Sequence, residues 1–198
     1  MIRVGNLGCN HFGVVRIACV VTRSRCPNTK PTKSSDLIDS SDTLDLMRVS
    51  AKSDYALRAL IEMATRADRA AVSAEELGKL QDIPRNFLQA ILADLRRAGV
   101  VISQRGQSGG WKLAREAGEV TVADVIRAVD GPLVSVYGLR PEAVEYNDRA
   151  EPLQQVWIAA RRSLRDVFEH VSIQELADQR LPECVSRRTA DEDAWAPH

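Results

Sequence analysis

The sequence predicts a mainly α fold: three short helices, a two-stranded β-hairpin and, farther along, one long amphipathic helix. Three observations carry this expectation. Apolar residues recur at three-and-four spacing from Ser50 onward, which lines one face of a helix. A glycine-rich turn, Arg105 to Gly110, separates two short β-prone runs and reads as a hairpin. From Glu151 to His170 the helical spacing returns without a break.

Residues 1–46 end in NTKPTKSSDLIDSSDTLD, a stretch too poor in apolar residues to offset the entropy of ordering it. It is expected to be disordered. Periodicity starts directly after Met47, which fits an initiator preceded by an extension from a start codon placed too early; the intact mass of the natively expressed protein tests this. Helix one is expected from Ala51 to Ala67, with Tyr55, Leu57, Leu60, Ile61 and Ala64 along one face. Ser73-Ala74-Glu75-Glu76 fits a capping box for helix two, in which the serine oxygen and the Glu76 side chain each satisfy a backbone donor. That helix ends near Leu80 to Asp82.

Helix three is expected from Pro84 to Ala98, because the missing N–H of proline costs nothing in a first turn. Its apolar stripe is Phe87, Leu88, Ile91, Leu92 and Leu95, and Gly99 is placed to close it in the left-handed conformation. Val100 to Ile102 form a short strand, and Trp111-Lys112-Leu113 the returning one. Thr121-Val122-Ala123-Asp124 opens a short helix, VADVIRAV, stopped by Asp130-Gly131-Pro132. Residues 131–149 form a connection of weak periodicity. The long helix follows, its stripe made of Leu153, Val156, Trp157, Ala160, Leu164, Val167 and Phe168, with Arg161, Arg162 and Arg165 facing away. A second capping box, Ser172 to Glu175, starts a last short helix, and the tail from Glu183 is expected to be loose.

The order helix, helix, helix, hairpin is that of a winged helix-turn-helix, which is expected to bind double-stranded DNA. The division of the chain is therefore 1–46 extension, 47–130 winged helix-turn-helix, 131–149 connection, 150–182 dimerisation helix and terminal short helix, and 183–198 flexible tail. Charge agrees with this division. The formal net charge is zero, but residues 1–46 carry +2, residues 47–118 carry +4 and residues 119–198 carry −6. A basic segment joined to an acidic one suits a protein of which one part meets phosphate. No run reaches the length of a membrane span, and FGVVRIACVV is interrupted by Arg16 and lacks a convincing cleavage site. No membrane partner and a cytoplasmic location are the expectation.

In such a fold the second helix of the pair enters the major groove and its first residues reach base edges. Here those are Arg85, Asn86 and Gln89 in helix three, side chains whose donors and acceptors match guanine and adenine; the competing reading is an ordinary solvated helix start. In the wing, Arg105 is placed to reach a narrow minor groove. Gly106, Ser108 and Gly109 allow close approach of the backbone to phosphate, although RGQSGG is also an ordinary hairpin turn. No nucleophile–base pair, phosphate-binding loop or metal-ligand cluster suggests an enzyme. A winged-helix module that binds protein partners without strong DNA affinity is the alternative.

The segments MRVSAKSDYALRALIEMA, LRRAGVV and RGQSGGWKLA resemble the bacterial Rrf2 family of winged-helix regulators over about Met47 to Leu181. The resemblance implies a homodimer that binds an inverted repeat, usually as a repressor, with the long helix crossing its twin. It also implies that Ser50, Lys52 and Tyr55 touch backbone phosphate. Gln89 stands where the iron-sulfur cluster regulator of the family has a glutamate that tunes sequence choice, which leaves the operator class open. Cluster-binding members place three cysteines in the connection, here Gly131 to Ala150, and GPLVSVYGLRPEAVEYNDRA holds neither cysteine nor histidine. Thiolates hold such clusters, so no iron-sulfur cluster is expected at that site. The spacing of Cys9, Cys19 and Cys26, with His11 nearby, matches no metal pattern. Cys184 has no close basic flank and reads as inert rather than oxidant-sensing, and His170 as a partner of a helix dipole. An unidentified small molecule or protein is left as the effector.

Overall fold

The computed structural model describes residues 49–66, 70–106 and 109–197; the expected extension and Met47 lie outside them. The first helix, α1 (Ala51–Ala64), starts where Ser50 Oγ accepts the Ser53 N–H at 2.9 Å, satisfying a donor that the helix itself leaves unpaired. Its buried face is Ser53, Ala56, Ala59, Leu60 and Met63. The expected stripe is thus rotated: of its members only Leu60 is fully buried, while Tyr55, Leu57, Ile61 and Ala64 pack on the core from its margin. Small alanines hold the centre because three later helices pack against α1. The helix ends three residues earlier than expected, with Thr65 as its cap.

Helix α2 (Ala74–Gln81) begins at Ser73, whose Oγ accepts the Glu76 N–H at 3.1 Å. The second half of the expected capping box is not made, because the Glu76 carboxylate pairs with Arg66 at 2.7 Å instead. A full ion pair competes successfully with one more hydrogen bond to an exposed amide. Asp82, with φ of +51°, turns the chain, Ile83 is buried in the turn, and Pro84 leads into α3 (Arg85–Arg97). Helix α3 buries Leu88, Ile91, Leu92 and Leu95. Phe87, counted on that stripe from the sequence, is instead 54% exposed.

Gly99 adopts φ of +70°, the left-handed close that the sequence called for. Strands β1 (Val101–Gln104) and β2 (Gly110–Leu113) pair antiparallel, Val101 opposite Leu113 and Gln104 opposite Gly110. The hairpin is fastened to the chain before α2 by two hydrogen bonds: the Val72 N–H to Trp111 O at 2.9 Å, and the Trp111 N–H to Val72 O at 2.8 Å. Helix α4 (Val122–Val129) has the reciprocal capping box of Thr121 and Asp124 and buries Val122, Ala123, Val125 and Val129.

After a connection that buries Val134, Pro141 and Val144, α5 (Pro152–Phe168) follows, and none of its residues is buried. The expected bounds, Glu151 and His170, frame it closely. Helix α6 (Ile173–Ala177) carries the second capping box, Ser172 with Glu175. It returns to the first helices: Ile173 is fully buried in the same cluster as Leu60, Leu92 and Val125. The Val122 N–H bonds Val171 O and the Ile173 N–H bonds Val120 O, both at 2.9 Å. The element grouped by sequence with the dimerisation helix therefore packs as part of the winged-helix core. Residues beyond Glu183, expected to be loose, form α7 (Glu183–Thr189), and Trp195 Nε1 donates to Thr189 O at 2.8 Å. No helix among the described residues is long and apolar enough to cross a membrane.

Candidate nucleic-acid interface

The first turn of α3 presents Arg85, Asn86 and Gln89 to solvent, with no acidic side chain in that turn. These three are exposed because the opposite face of the helix is committed to Leu88, Ile91, Leu92 and Leu95. Phe87 shares the exposed turn and meets the Tyr55 ring edge-on, centroids 6.3 Å apart at 74°. Arg58 lies over the Tyr55 ring, 5.5 Å from its centroid, a cation–π distance. Tyr55 thus braces α3 as well as lying near the start of α1. Phe87 is an exposed residue of this candidate surface that periodicity hid, since apolar character alone assigned it to the core.

Ser50 and Lys52, assigned to phosphate by the resemblance, are held by neighbouring elements. Ser50 Oγ donates to Asp130 Oδ2 at 2.5 Å, and the buried Ser53 Oγ donates to the same oxygen at 2.6 Å. Lys52 Nζ donates to Val129 O at 2.6 Å and pairs with Asp94 Oδ2 at 2.5 Å. The Lys52 hydrogen bond holds the Asp94 carboxyl below its ordinary range, against a burial effect that would raise it. An ammonium at the C-terminus of α4 meets the negative end of its dipole. These contacts tie the start of α1 to the end of α4 and the back of α3.

In the wing, Arg105 and Gly106 are exposed, and Gly106 has φ of +113°. Ser108 lies outside the described residues. A Cβ on Gly109 would stand 2.5 Å from Gln104 O, and one on Gly110 2.5 Å from Val72 O, so both glycines are required by the backbone around them.

The expected stripe on α5 divides into two. Trp157, Ala160, Leu164, Val167 and Phe168 are half-buried against their own chain, whereas Leu153 and Val156 are exposed. Trp157 Nε1 donates to the Tyr146 hydroxyl at 3.1 Å. Ile158, which the sequence did not single out, is exposed as well. Arg161 does not face away: it turns onto the connection and pairs with Glu142 at 2.6 Å.

That turn of α5 helps to line a cavity of about 470 Å³, with Arg127 of α4, Gly131, Pro132, Leu133, Arg140 and Glu142 of the connection, and Arg161 and Arg165 of α5. Just outside it, Glu169 accepts from Arg165 at 2.9 Å and also pairs with Arg127. Hydrogen bonds from Arg165, then Arg127, hold its carboxyl at about 2, down from 4.5. A carboxyl depressed in the folded state stabilises the fold above its ordinary pKa and loses that contribution as pH falls toward the depressed value. Acid unfolding should therefore show a component between about pH 4.5 and 2. Glu169→Gln should remove it, so that circular dichroism or tryptophan fluorescence of the variant changes less steeply over that window.

A family model described as an iron-dependent transcriptional regulator, Rrf2, matches residues 49–179. A Mycobacterium tuberculosis protein named as an HTH-type transcriptional regulator is 41% identical over 145 residues, covering 73% of this chain and 90% of the relative. Among solved structures, the chain is similar to CymR, the global cysteine regulator of Bacillus subtilis, at 28% identity and a TM-score of 0.57, covering 68% of this chain and 98% of that one. It is also similar to IscR of T. potens, at 25% identity and a TM-score of 0.54, covering 75% of this chain and 96% of that one.

Proposed function

Since this chain belongs to the Rrf2 family of DNA-binding transcriptional regulators, and is a regulator rather than an enzyme, we propose that it acts as a homodimeric repressor on an inverted-repeat operator. The observation that carries this reading is the first turn of α3, where Arg85, Asn86 and Gln89 stand exposed without an acidic neighbour in the turn. Arg85 pairs with guanine, and Asn86 and Gln89 with adenine, through edges that each match in donors and acceptors. Phe87 adds an apolar contact of the kind that suits a thymine methyl group. The wing reaches the flanking minor groove with Arg105, while the backbone at Gly106 and Gly109 approaches phosphate. Tyr55 supports α3 and contacts the backbone of the duplex. Ser50 and Lys52 position the start of α1 rather than offering free charge.

The dimer forms through α5, with Leu153 and Val156 at its centre and Trp157, Ala160, Leu164, Val167 and Phe168 behind them. Two copies so joined place their recognition helices on two half-sites, and the two-fold axis of the protein matches the symmetry of the operator.

The family model is described as iron-dependent, and the residues here do not fit an iron-sulfur cluster at the connection. Residues 131–150 supply no thiol or imidazole, and carboxylates there are poor substitutes for thiolate. The described residues include no cluster of three or more His, Cys, Asp and Glu side chains suited to a metal. The reading therefore routes no signal through iron.

Binding to the promoter region of its own gene, followed by fluorescence anisotropy across a salt series, tests the proposal. Affinity should fall steeply with salt as phosphate contacts release counterions, and Arg105→Ala should weaken binding and flatten the slope by about one. Replacing Arg85 or Gln89 by alanine should cost about 1–3 kcal/mol, confined to one base position of the site. A flat salt response would favour a protein-binding module instead.

A further inference from the structure

We propose that the cavity between the end of α4, the connection and α5 is an effector site for a small oxyanion carrying two or more negative charges. Among the described residues, four guanidinium groups line it, Arg127, Arg140, Arg161 and Arg165, against one lining carboxylate, that of Glu142. Glu169 adjoins it and serves Arg127 and Arg165 together. Counting both carboxylates, the described groups leave the local charge two positive in excess, which suits an anion of at least that charge.

The four arginines come from three separate elements, so the convergence is a property of the fold and not of one basic run. Arg161 is committed to Glu142 at 2.6 Å. The Glu142 carboxyl is held below its ordinary range first by a backbone hydrogen bond and by Arg161, and Arg140 acts on it only at longer range, pairing with no carboxylate at ion-pair distance among the described residues. Each guanidinium carries five N–H donors in a planar fork, and the two carboxylates occupy only a few of them. A carboxylate or phosphate group can be bound by the remainder in paired, charge-assisted contacts. The volume of about 470 Å³ suits a compact metabolite. Gly131, Pro132 and Leu133 provide a lining without competing acidic groups.

The position of the cavity gives occupancy a consequence. Arg127 lies on α4, whose last carbonyl and following carboxylate, Val129 O and Asp130, hold Lys52, Ser50 and Ser53 at the start of α1. Arg161 and Arg165 lie on α5, beside the face assigned to the dimer. An anion bridging the two helices sets the angle between α4 and α5, and so the separation of the two DNA-reading heads. Only this last step rests on the operator-binding reading; anion binding itself does not.

The experiment uses the full chain, without DNA in its first stage. Isothermal titration calorimetry and thermal shift are run with succinate, citrate, inorganic phosphate and pyrophosphate, at ionic strength matched by chloride. At least one should bind and raise Tm, with chloride alone doing neither. Arg140→Gln, which loses no ion pair, should weaken that binding about tenfold or more. Arg162→Gln, whose partner Asp166 at 3.0 Å does not line the cavity, should leave it unchanged. Binding of none of the four, or equal loss in both variants, overturns the site. In the second stage the bound anion should change operator affinity in the wild type and not in Arg140→Gln. If the anion binds and operator affinity does not move, the effector role fails; if no DNA is bound at any salt, the operator reading fails while the anion site stands.

Discussion

Val156→Asp should convert the protein from dimer to monomer in size-exclusion chromatography with light scattering, and should abolish tight operator binding. Val156 is 54% exposed on a helix with no buried residue, so the single chain tolerates aspartate there. Across an isologous interface the change is doubled, since each new carboxylate meets the same surface of its twin. An unpaired charge trapped in such an interface costs about 3–5 kcal/mol, which is about a hundredfold or more in the dissociation constant. Operator affinity follows, because a monomer reaches one half-site only. Leu164→Asp is the poorer test: Leu164 is half-buried against its own chain, so loss of the dimer and loss of folding would be confounded. A Val156→Asp protein that stays dimeric places the interface elsewhere.

The second large effect is expected in the wing. Gly110→Ala should destabilise the fold by about 3 kcal/mol, from forced contact and unfavourable backbone together. A Cβ there would stand 2.5 Å from the carbonyl oxygen and 2.6 Å from the carbonyl carbon of Val72, and φ is +157°. Relief requires breaking the paired hydrogen bonds of Val72 and Trp111, which fasten the hairpin to the body. Chemical denaturation reads the stability, and DNA affinity should drop along with it because Arg105 loses its support. Gly106→Ala makes a useful contrast, since a Cβ there meets nothing within 4 Å and only the positive φ is penalised.

Local signals were legible in the sequence, and those that depend on distant partners were not. Helix α4 was read residue for residue, because Thr121 and Asp124 cap it within one turn and Gly131-Pro132 stop it. Gly99 was equally readable, a closing residue whose backbone alone decides its role. The capping box at Ser73 was half right, because Arg66 captured Glu76 from across the fold. Phe87 was misplaced since hydrophobic periodicity cannot tell a core position from an exposed one at the first turn of a helix. Arg161 was misplaced because only the folded connection supplies Glu142. The cavity was invisible: its arginines belong to segments that meet only in three dimensions.

The two hydrogen bonds joining Val120 and Val122 to Val171 and Ile173 make the connection and α5 an excursion that leaves the winged-helix core after α4 and comes back. Ile173 is a full member of that core, yet it is synthesised after α5. A nascent chain therefore cannot complete its winged-helix core on the ribosome until α5 has already emerged. Loops that must close before their contacts are gained slow folding. The reader and the assembler thus mature as one event, and a chain truncated before Ile173 should yield neither.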